Sequence, residues 1–519
     1  MGIAARPGHI GTTSAFQPEQ PRIRRNAPSM ALALLFTALP GCVVGPDYQA
    51  PPVVPPGQWS QAAIDAPGAG KPAADLPLWW RGFKDERLNR LVEMAIQGNP
   101  DLKIADARLG AARARRLSAE AAFWPSVDAS ASYERMRISP NAVKGLLGSF
   151  GNGIRSGTET STLLSGLGPL GTPFSLFQTG FDASWELDLF GGIQRRREAA
   201  EADYAALREA QRDVLVSLTA EVARNYLGLI SLERRLRIAG EQVENRREIL
   251  RLAENAYHEG FATALDPIQA RAGLEAAEAV PPALAAQIGQ TRHALAILLG
   301  QPPAAMEHRL ANLGTELPAP PAIPAGLPSD MLRRRPDLRR AERETAEAAA
   351  MVGVAVAELF PKLSLTGSVG FQSQELSNFT SLSSGFYGFG PRLSLPIFQA
   401  GRLIANVDQQ ESKFAEALRI YDKSILAALR EVEDALSSLN GEYQRKTALA
   451  TAEATARQAI GTAKTLYAEG ETGFQSVLEA QRAWYEAEEN LALSELAWSS
   501  AHIALFKALG GGWPMDAGK

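Results

Sequence analysis

Four segments of this chain alternate apolar and polar residues along most of their length: residues 126–136, 177–190, 362–372 and 386–398. In the first segment, Val127 and Tyr133 fall on one face and Asp128 falls on the other. A period of two predicts β-strands with one apolar and one wet face. A length of about ten residues suits a tilted strand that crosses a membrane. Taken alone, the segments fit half of a soluble sandwich equally well.

The wet faces would carry charge into a pore if these strands cross a membrane. Open sheet edges are not tolerated in hydrocarbon, so four strands cannot form a barrel alone. Three chains that share one barrel would supply twelve strands, which is an ordinary closed size. The charged residues expected to line the lumen are Asp128, Asp182, Glu186, Asp188 and Arg392.

Two proline-free runs predict helices that are too long for an ordinary globular domain. They extend from Gly192 to about Asn255 and from Gly401 to about Leu466. Each would span roughly 95 Å at the rise of an α-helix. A long helical bundle or a filament rod would show the same pattern. In the second run, apolar residues step by three and four, as in a coiled-coil seam: they are Phe414, Leu418, Tyr421, Ile425, Leu429, Val432, Leu436, Leu439 and Tyr443.

This order of elements occurs twice along the chain. Residues 99–133 align without a gap with residues 335–369, and residues 256–271 align with residues 466–481. Such self-similarity predicts two copies of one structural unit. In the first copy, Pro281 and Pro282 should interrupt the return helix. We place the copies at 79–300 and 329–513, a Pro-rich linker at 301–328 and a short tail at 514–519.

The N-terminal region has the order of a secretory signal. Arg22, Arg24 and Arg25 precede an apolar run over residues 30–39, which small Gly41 follows. The chain's single cysteine, Cys42, comes next and resembles the lipidated cysteine of a bacterial lipobox. We predict a signal peptide over 1–41 and a lipid-anchored extended segment over 42–78. A signal peptide followed by an incidental cysteine is the alternative.

Composition and motifs narrow the function classes. The chain of 519 residues has a net charge of −4 and a pI of about 5.9, which argues against a nucleic-acid partner. Its five histidines lack metal-ligand spacing. The sequence contains neither a P-loop nor a nucleophile elbow. We therefore predict a protein that is not an enzyme and has no metal, with covalent lipid on Cys42 as its one cofactor-like group.

Five sequence motifs, in their order along the chain, indicate a family resemblance. The chain resembles the outer-membrane efflux proteins, which are TolC-like, and specifically their NodT-type lipoproteins. The motifs are "CVVGPDY" (42–48), "WWRGFKDERLNRLVEMAIQGNPDL" (79–102), "WELDLFGG" (185–192), "YAEGETGFQSVLEAQR" (467–482) and "ALFKALGGGW" (504–513). The resemblance implies an α+β membrane channel, a homotrimer with a twelve-stranded barrel on a periplasmic helical tunnel.

The resemblance also implies a location, partners and a cargo class. The protein would lie in the outer membrane of a Gram-negative bacterium, anchored among its lipids. It would be the exit duct of a tripartite pump that exports small molecules or drugs. Its partners would be an inner-membrane transporter of the RND type and a periplasmic adaptor. A type I protein secretion duct is an alternative within the same class. A periplasmic coiled-coil structural or adaptor protein is the alternative from another class.

The two breaks between antiparallel helices are the periplasmic tips that the resemblance implies. Adaptor contacts are expected at Gly260, Phe261, Ala262, Asp266, Gly470, Thr472 and Gly473. The family often has two carboxylates in a D-V-L-D pattern near the second tip. This chain has "SVLE" there, so Ser476 replaces the first carboxylate and Glu479 keeps the second. Glu479, with Ser476 and Glu471, forms the gate candidate; a solvated helix carboxylate is the alternative for Glu479.

Overall fold

A computed structural model describes residues 43–52, 59, 76–137, 139, 173–311, 313–322 and 333–514, all within one compact unit. Four antiparallel strands form one sheet in the order β1-β2-β3-β4. They are β1 (Ser126–Met136), β2 (Phe174–Leu187), β3 (Lys362–Ser373) and β4 (Gly385–Ser394). The helices include α1 (Glu86–Gly98), α2 (Pro100–Ala121), α3 (Gly192–His258), α4 (Leu265–Glu278), α5 (Val280–Leu298), α6 (Pro303–Met306), α7 (Pro336–Ala357), α8 (Arg402–Ala468) and α9 (Phe474–Ala508).

The strand register gives the sheet two chemically different faces. Phe181 pairs with Ala129 and Val369, so apolar side chains lie beside one another on one face. Asp182 pairs with Asp128 on the opposite face. Successive side chains in a strand point to opposite faces, which turns the alternation of the sequence into two continuous surfaces. Strands β1 and β4 are the two edges of this sheet.

Two strands end earlier than the sequence suggested. Strand β4 stops at Ser394, shortly before Pro396, which cannot donate a backbone hydrogen bond to the ladder. Strand β2 stops at Leu187, and the carboxylate of Asp188 accepts a 2.7 Å hydrogen bond from the backbone N–H of Gln194. Asp188 therefore satisfies a free N–H in the first turn of α3. The prediction that Asp188 lies on the lumen face of the sheet is therefore wrong, because Asp188 lies after the end of β2.

Helices α3 and α8 run away from the sheet for 67 residues each, or about 100 Å. Each begins directly after a glycine with positive φ, Gly191 and Gly401. Helix α7 packs against both, and α9 returns along α8 and also contacts α3. The first return path is divided into α4 and α5 at Ala279, just before the two prolines that predict an interruption.

The largest apolar core joins the N-terminal part of the chain to α3 and α5. Trp79 and Leu88 are buried in it with Tyr226 of α3. Met306 and Leu310 are buried in the same core, although the sequence assigned them to a linker. Burying each large apolar side chain contributes roughly 1.5–3 kcal/mol. This segment is therefore structural and is not a free spacer.

A second core contains the predicted coiled-coil seam of α8. Ile425, Val432, Leu436 and Leu439 are buried against Leu505 of α9 and its neighbours. His502 lies in the same region, and its Nδ1 lies 2.9 Å from the carbonyl oxygen of Trp498. The alternation of three and four residues is thus a packing seam between helices.

Within the ranges that the structure describes, the helices lack the combination of length and apolar character needed to cross a bilayer.

Candidate functional site

The two hairpin tips have the same backbone turn. Gly260 and Gly470 adopt φ values of +79° and +76° at the ends of α3 and α8. The N–H groups of Phe261 and Glu471 donate to the carbonyls of Ala256 and Leu466, at 2.8 and 2.9 Å. These are the six-to-one hydrogen bonds of a Schellman motif, which favours glycine at the left-handed position. Sequence reasoning placed both glycines correctly at these turns.

The side chains at the two tips differ strongly. Phe261, Leu265 and Ile268 at the first tip are 84%, 56% and 65% exposed. The aligned positions at the second tip are Glu471, Gln475 and Leu478. We call the three exposed residues of the first tip the apolar stripe. Leu265 and Ile268 are three residues apart in α4 and so lie on one side of it, and Phe261 lies in the turn just before that helix.

A small core joins the two hairpins just above their tips. Phe474 and Val477 of α9 are buried against Ile249 and Ala253 of α3. The ring of Tyr467 packs on Phe474 with a centroid separation of 5.4 Å. No local pattern in the sequence predicts this contact, because it depends on which helices become neighbours.

Tyr467 is a tip residue that the sequence reasoning did not select. Its hydroxyl is buried and has no hydrogen-bond partner among the described residues. Burial raises the pKa of Tyr467, and the carboxylate of Asp266 raises it further. An adaptor-contact candidate on the first tip is therefore electrostatically coupled to a buried phenol on the second.

The gate candidates lie on the exposed surface of the second tip. The side-chain amide of Gln475 donates a 3.0 Å hydrogen bond to Glu479 Oε1. Thr472 and Ser476 share a 3.0 Å hydrogen bond between their hydroxyls. Glu471 is exposed one residue after Gly470. The structure thus places all three candidates near one turn, and a gating role for them stays a prediction.

The wet face of the sheet brings four of the five lumen candidates onto one surface. Asp128 and Asp182 are directly opposite each other, and the hydroxyl of Ser130 donates to Asp182 at 3.3 Å. Arg392 pairs with Ser364, which also pairs with Glu186. A groove of about 390 Å³ runs over this face. The opposed carboxylates make the face acidic around mid-strand, while Arg392 and Glu186 lie nearer the end of the sheet where α3 begins.

An extended segment, Val43–Tyr48, is held at the junction of sheet and helices. The N–H of Val44 donates to the carbonyl of Phe190 at 3.1 Å. The buried guanidinium of Arg195 donates to the carbonyl of Val44 at 3.1 Å and pairs with Asp47 at 2.7 Å. This Arg195 clamp was not predicted, because nothing local in the sequence links α3 to residues about 150 positions earlier.

A close backbone contact fixes the same segment. Gly45 has a φ of +90°, and a Cβ added to it would lie 2.5 Å from Cα of Gly353 in α7. Val43 also lies close to Gly191, where an added Cβ would be 2.8 Å from Cα of Val43. Glycine is therefore required at both contacts. Cys42, the predicted lipidation site, lies outside the described residues.

Comparisons with known proteins agree with this architecture. The family model "Outer membrane efflux protein" matches residues 91–301 and 327–511. The solvent efflux pump outer membrane protein SrpC of Pseudomonas putida is 32% identical, over 95% of this chain and 99% of its own length. The cation efflux system protein CusC of Escherichia coli is 30% identical, over 92% of this chain and 97% of its own. The solved structure of the outer-membrane channel OprN superposes with a TM-score of 0.80 and 33% identity, covering 91% of this chain and all of OprN.

Proposed function

Because this chain belongs to the outer membrane efflux protein family, we propose that it is the passive exit duct of a tripartite pump for small molecules. Its partners would be two further copies of itself, a periplasmic adaptor and an inner-membrane transporter of the RND type. The observation that carries the proposal is the direct continuation of an amphipathic four-stranded sheet into two helices of 67 residues.

Family membership and structural similarity confirm the coarser predictions. The fold class is that of a trimeric TolC-like channel with four strands per chain. The protein is an outer-membrane efflux component of a Gram-negative bacterium, and its helices extend into the periplasm. The relatives differ in what their names say they export, from solvents to cations, so the cargo of this chain is not transferred from any of them.

The open edges of the sheet support assembly through the barrel. In an alternating antiparallel sheet of four strands, β4 of one chain and β1 of the next run in opposite directions. They can therefore pair as antiparallel neighbours, and closure removes every edge from the hydrocarbon. The apolar face with Phe181 would then meet lipid. The face with Asp128 and Asp182 would line the water-filled lumen.

The apolar stripe at the first tip supports adaptor contact there. Exposed aromatic and aliphatic side chains at a helical turn offer an apolar anchor for a partner's hairpin. Phe261→Ser together with Ile268→Ser should weaken adaptor binding and efflux without loss of trimer. Arg224→Gln, which changes an exposed residue on α3 about 50 Å from the tip, is the control. If the double variant binds adaptor as well as the wild type, the stripe is not the contact surface.

We also propose that Cys42 carries a covalent lipid, and the position of its neighbour Val43 supports this. Val43 contacts Gly191 at the end of the sheet where α3 begins, and consecutive Cα atoms lie about 3.8 Å apart. A diacylglycerol attached to the residue before Val43 would therefore be close enough to the barrel to enter the bilayer. Mass spectrometry of the mature N-terminus should find lipid on Cys42. An unmodified thiol at that position would contradict this part of the proposal.

The central experiment measures assembly and conduction of the purified protein. Native mass spectrometry in detergent should give a trimer, and planar bilayers should show a water-filled channel. Complementation of efflux should then require both the adaptor and the transporter. A soluble coiled-coil adaptor would give neither a membrane-embedded trimer nor conductance. A monomer without conductance would therefore contradict the proposal that this protein is an exit duct.

A further inference from the structure

A cavity of about 630 Å³ lies beside the clamped N-terminal segment. Pro46, Asp47 and Tyr48 form one wall of it. Helices α2, α3 and α7 form the rest, through residues that include Glu120, Arg197 and Arg343. All of these elements belong to one chain, so the cavity is complete before any assembly.

The acidic residues around this cavity already have cationic partners. Asp47 and Glu198 pair with Arg195 at 2.7 and 2.9 Å. Glu201 pairs with Arg116 at 3.0 Å. Glu120, which also lines the cavity, lies 3.9 Å from the same Arg116. Each of the four carboxylates therefore contacts Arg195 or Arg116, and none of these ion pairs includes Arg197 or Arg343.

Two guanidinium groups that line the same cavity have N–H donors that are not used in hydrogen bonds. Arg197 is exposed and forms neither an ion pair nor a hydrogen bond within the part of the chain that the structure describes. Arg343 is exposed and reaches only as near as 3.6 Å to its sequence neighbour Glu342. Arginine donates in a planar fork that matches the oxygens of a phosphate group. These two guanidinium groups can therefore bind a phosphate-bearing anion in the cavity.

The depth of the cavity indicates where that anion comes from. The segment is tied to Phe190, three residues after the end of β2. Helix α3 begins at Gly192, and Arg197 lies five residues further, about 7.5 Å along the helix axis. The polar headgroup layer extends roughly 5–8 Å beyond the hydrocarbon on each side. The two arginines therefore lie at about the level of the phosphates of the periplasmic leaflet.

We propose that Arg197 and Arg343 bind the phosphate of a periplasmic-leaflet phospholipid in this cavity, next to the segment that Cys42 anchors. Basic pockets beside a membrane commonly hold lipid headgroups in this way. The inference rests on the proposed outer-membrane trimer, because only that orientation brings the cavity to the leaflet. The bound lipid would hold the junction of barrel and tunnel at a fixed depth.

Native mass spectrometry of the detergent-purified trimer, titrated with phosphatidylethanolamine or phosphatidylglycerol, tests this proposal. The variant Arg197→Gln/Arg343→Gln should bind either lipid at least tenfold more weakly than the wild type. The control Arg224→Gln changes an exposed arginine on the same helix, about 40 Å further from the sheet. Lipid binding by this control should not change.

Inorganic phosphate, titrated in parallel, separates the two sources of the anion. Retention of lipid against millimolar phosphate supports the headgroup, and displacement by it assigns the cavity to a soluble phosphate instead. Equal lipid binding by the wild type and the double variant, with trimer and conductance intact, would overturn the site and leave the duct standing. Loss of trimer and conductance in the wild type would instead refute the duct itself.

Discussion

An arginine at Phe181 is the sharpest test of which face of the sheet meets lipid. Phe181 lies in the middle of β2, between Ala129 and Val369 on the apolar face. A cationic side chain at the bilayer midplane of a membrane barrel costs about 2–4 kcal/mol. Three copies per trimer bring the penalty to about 6–12 kcal/mol, which is comparable with the whole stability of many domains.

Two control variants distinguish the effect of the sheet face from the effect of the residue's depth in the membrane. Asp182→Arg places the same charge one residue later, on the lumen face, where it relieves the direct opposition of Asp128 and Asp182. It should leave assembly intact and shift selectivity toward anions. Leu187→Arg is on the lipid face but at the last residue of β2, where the cost falls to about 0–1 kcal/mol.

The assay is the fraction of heat-resistant trimer on semi-native electrophoresis, with urea midpoints in lipid vesicles as the quantitative measure. Phe181→Arg should lose most of its trimer, and the two controls should retain theirs. If Phe181→Arg and Asp182→Arg are tolerated equally, the alternation does not divide lipid from lumen. If Asp182→Arg alone fails, the two faces are exchanged.

Three further predictions concern the helical part of the protein. Glu479→Gln should weaken cation selectivity in planar bilayers, because one carboxylate per chain would form a ring of three; unchanged conductance and selectivity would leave Glu479 as a solvated helix carboxylate. Gly470→Ala should cost about 1–2 kcal/mol of unfolding free energy per chain in chemical denaturation, from its positive φ alone, since an added Cβ there has open space. Burial lowers the pKa of His502 to about 4 from 6.5; the unfolded chain therefore takes up its proton first as pH falls. Stability present above pH 6.5 should drop by about 3 kcal/mol per chain on the way to pH 4, and His502→Gln should flatten the melting temperature over that window.

The elements that follow from local periodicity were predictable from the sequence. The apolar face of β2 and the seam of α8 depend only on spacing along the chain, since side-chain direction is set by the strand or helix itself. The glycines of both tips were also predictable, because positive φ after a helix favours glycine. The buried positions of Ile425 and Val432 agree with this pattern.

The contacts that depend on distant neighbours were not predictable. Arg195 lies in a run of three arginines that gives no sign of which one is buried. Its selection follows from the path of the N-terminal segment, which closes on α3 across about 150 residues. Asp188 continues the strand alternation perfectly, yet the first turn of α3 captures its carboxylate. The local sequence pattern therefore does not predict the burial of Arg195 or the hydrogen bond of Asp188, because the partners of both side chains are brought close only by tertiary structure.

Because the chain is duplicated, the two tips show how side chains can differ on the same backbone turn. Both keep the Schellman hydrogen bonds, so the backbone presents its residues at the same geometry in each copy. Only the side chains differ: Phe261 aligns with Glu471, and Asp266 aligns with Ser476. A trimer would therefore carry apolar and acidic tips in alternation around one end of its tunnel. A partner that docks on the apolar stripe meets Phe261 at the position where the second tip has Glu471, and so avoids burying that carboxylate, which is costly when unpaired. The acidic tips are then left facing water, where a ring of carboxylates can act on permeating ions. If docking occurs at the first tip and ion selectivity arises at the second, as we propose, the two roles would differ through side-chain substitution alone, on the same backbone turn.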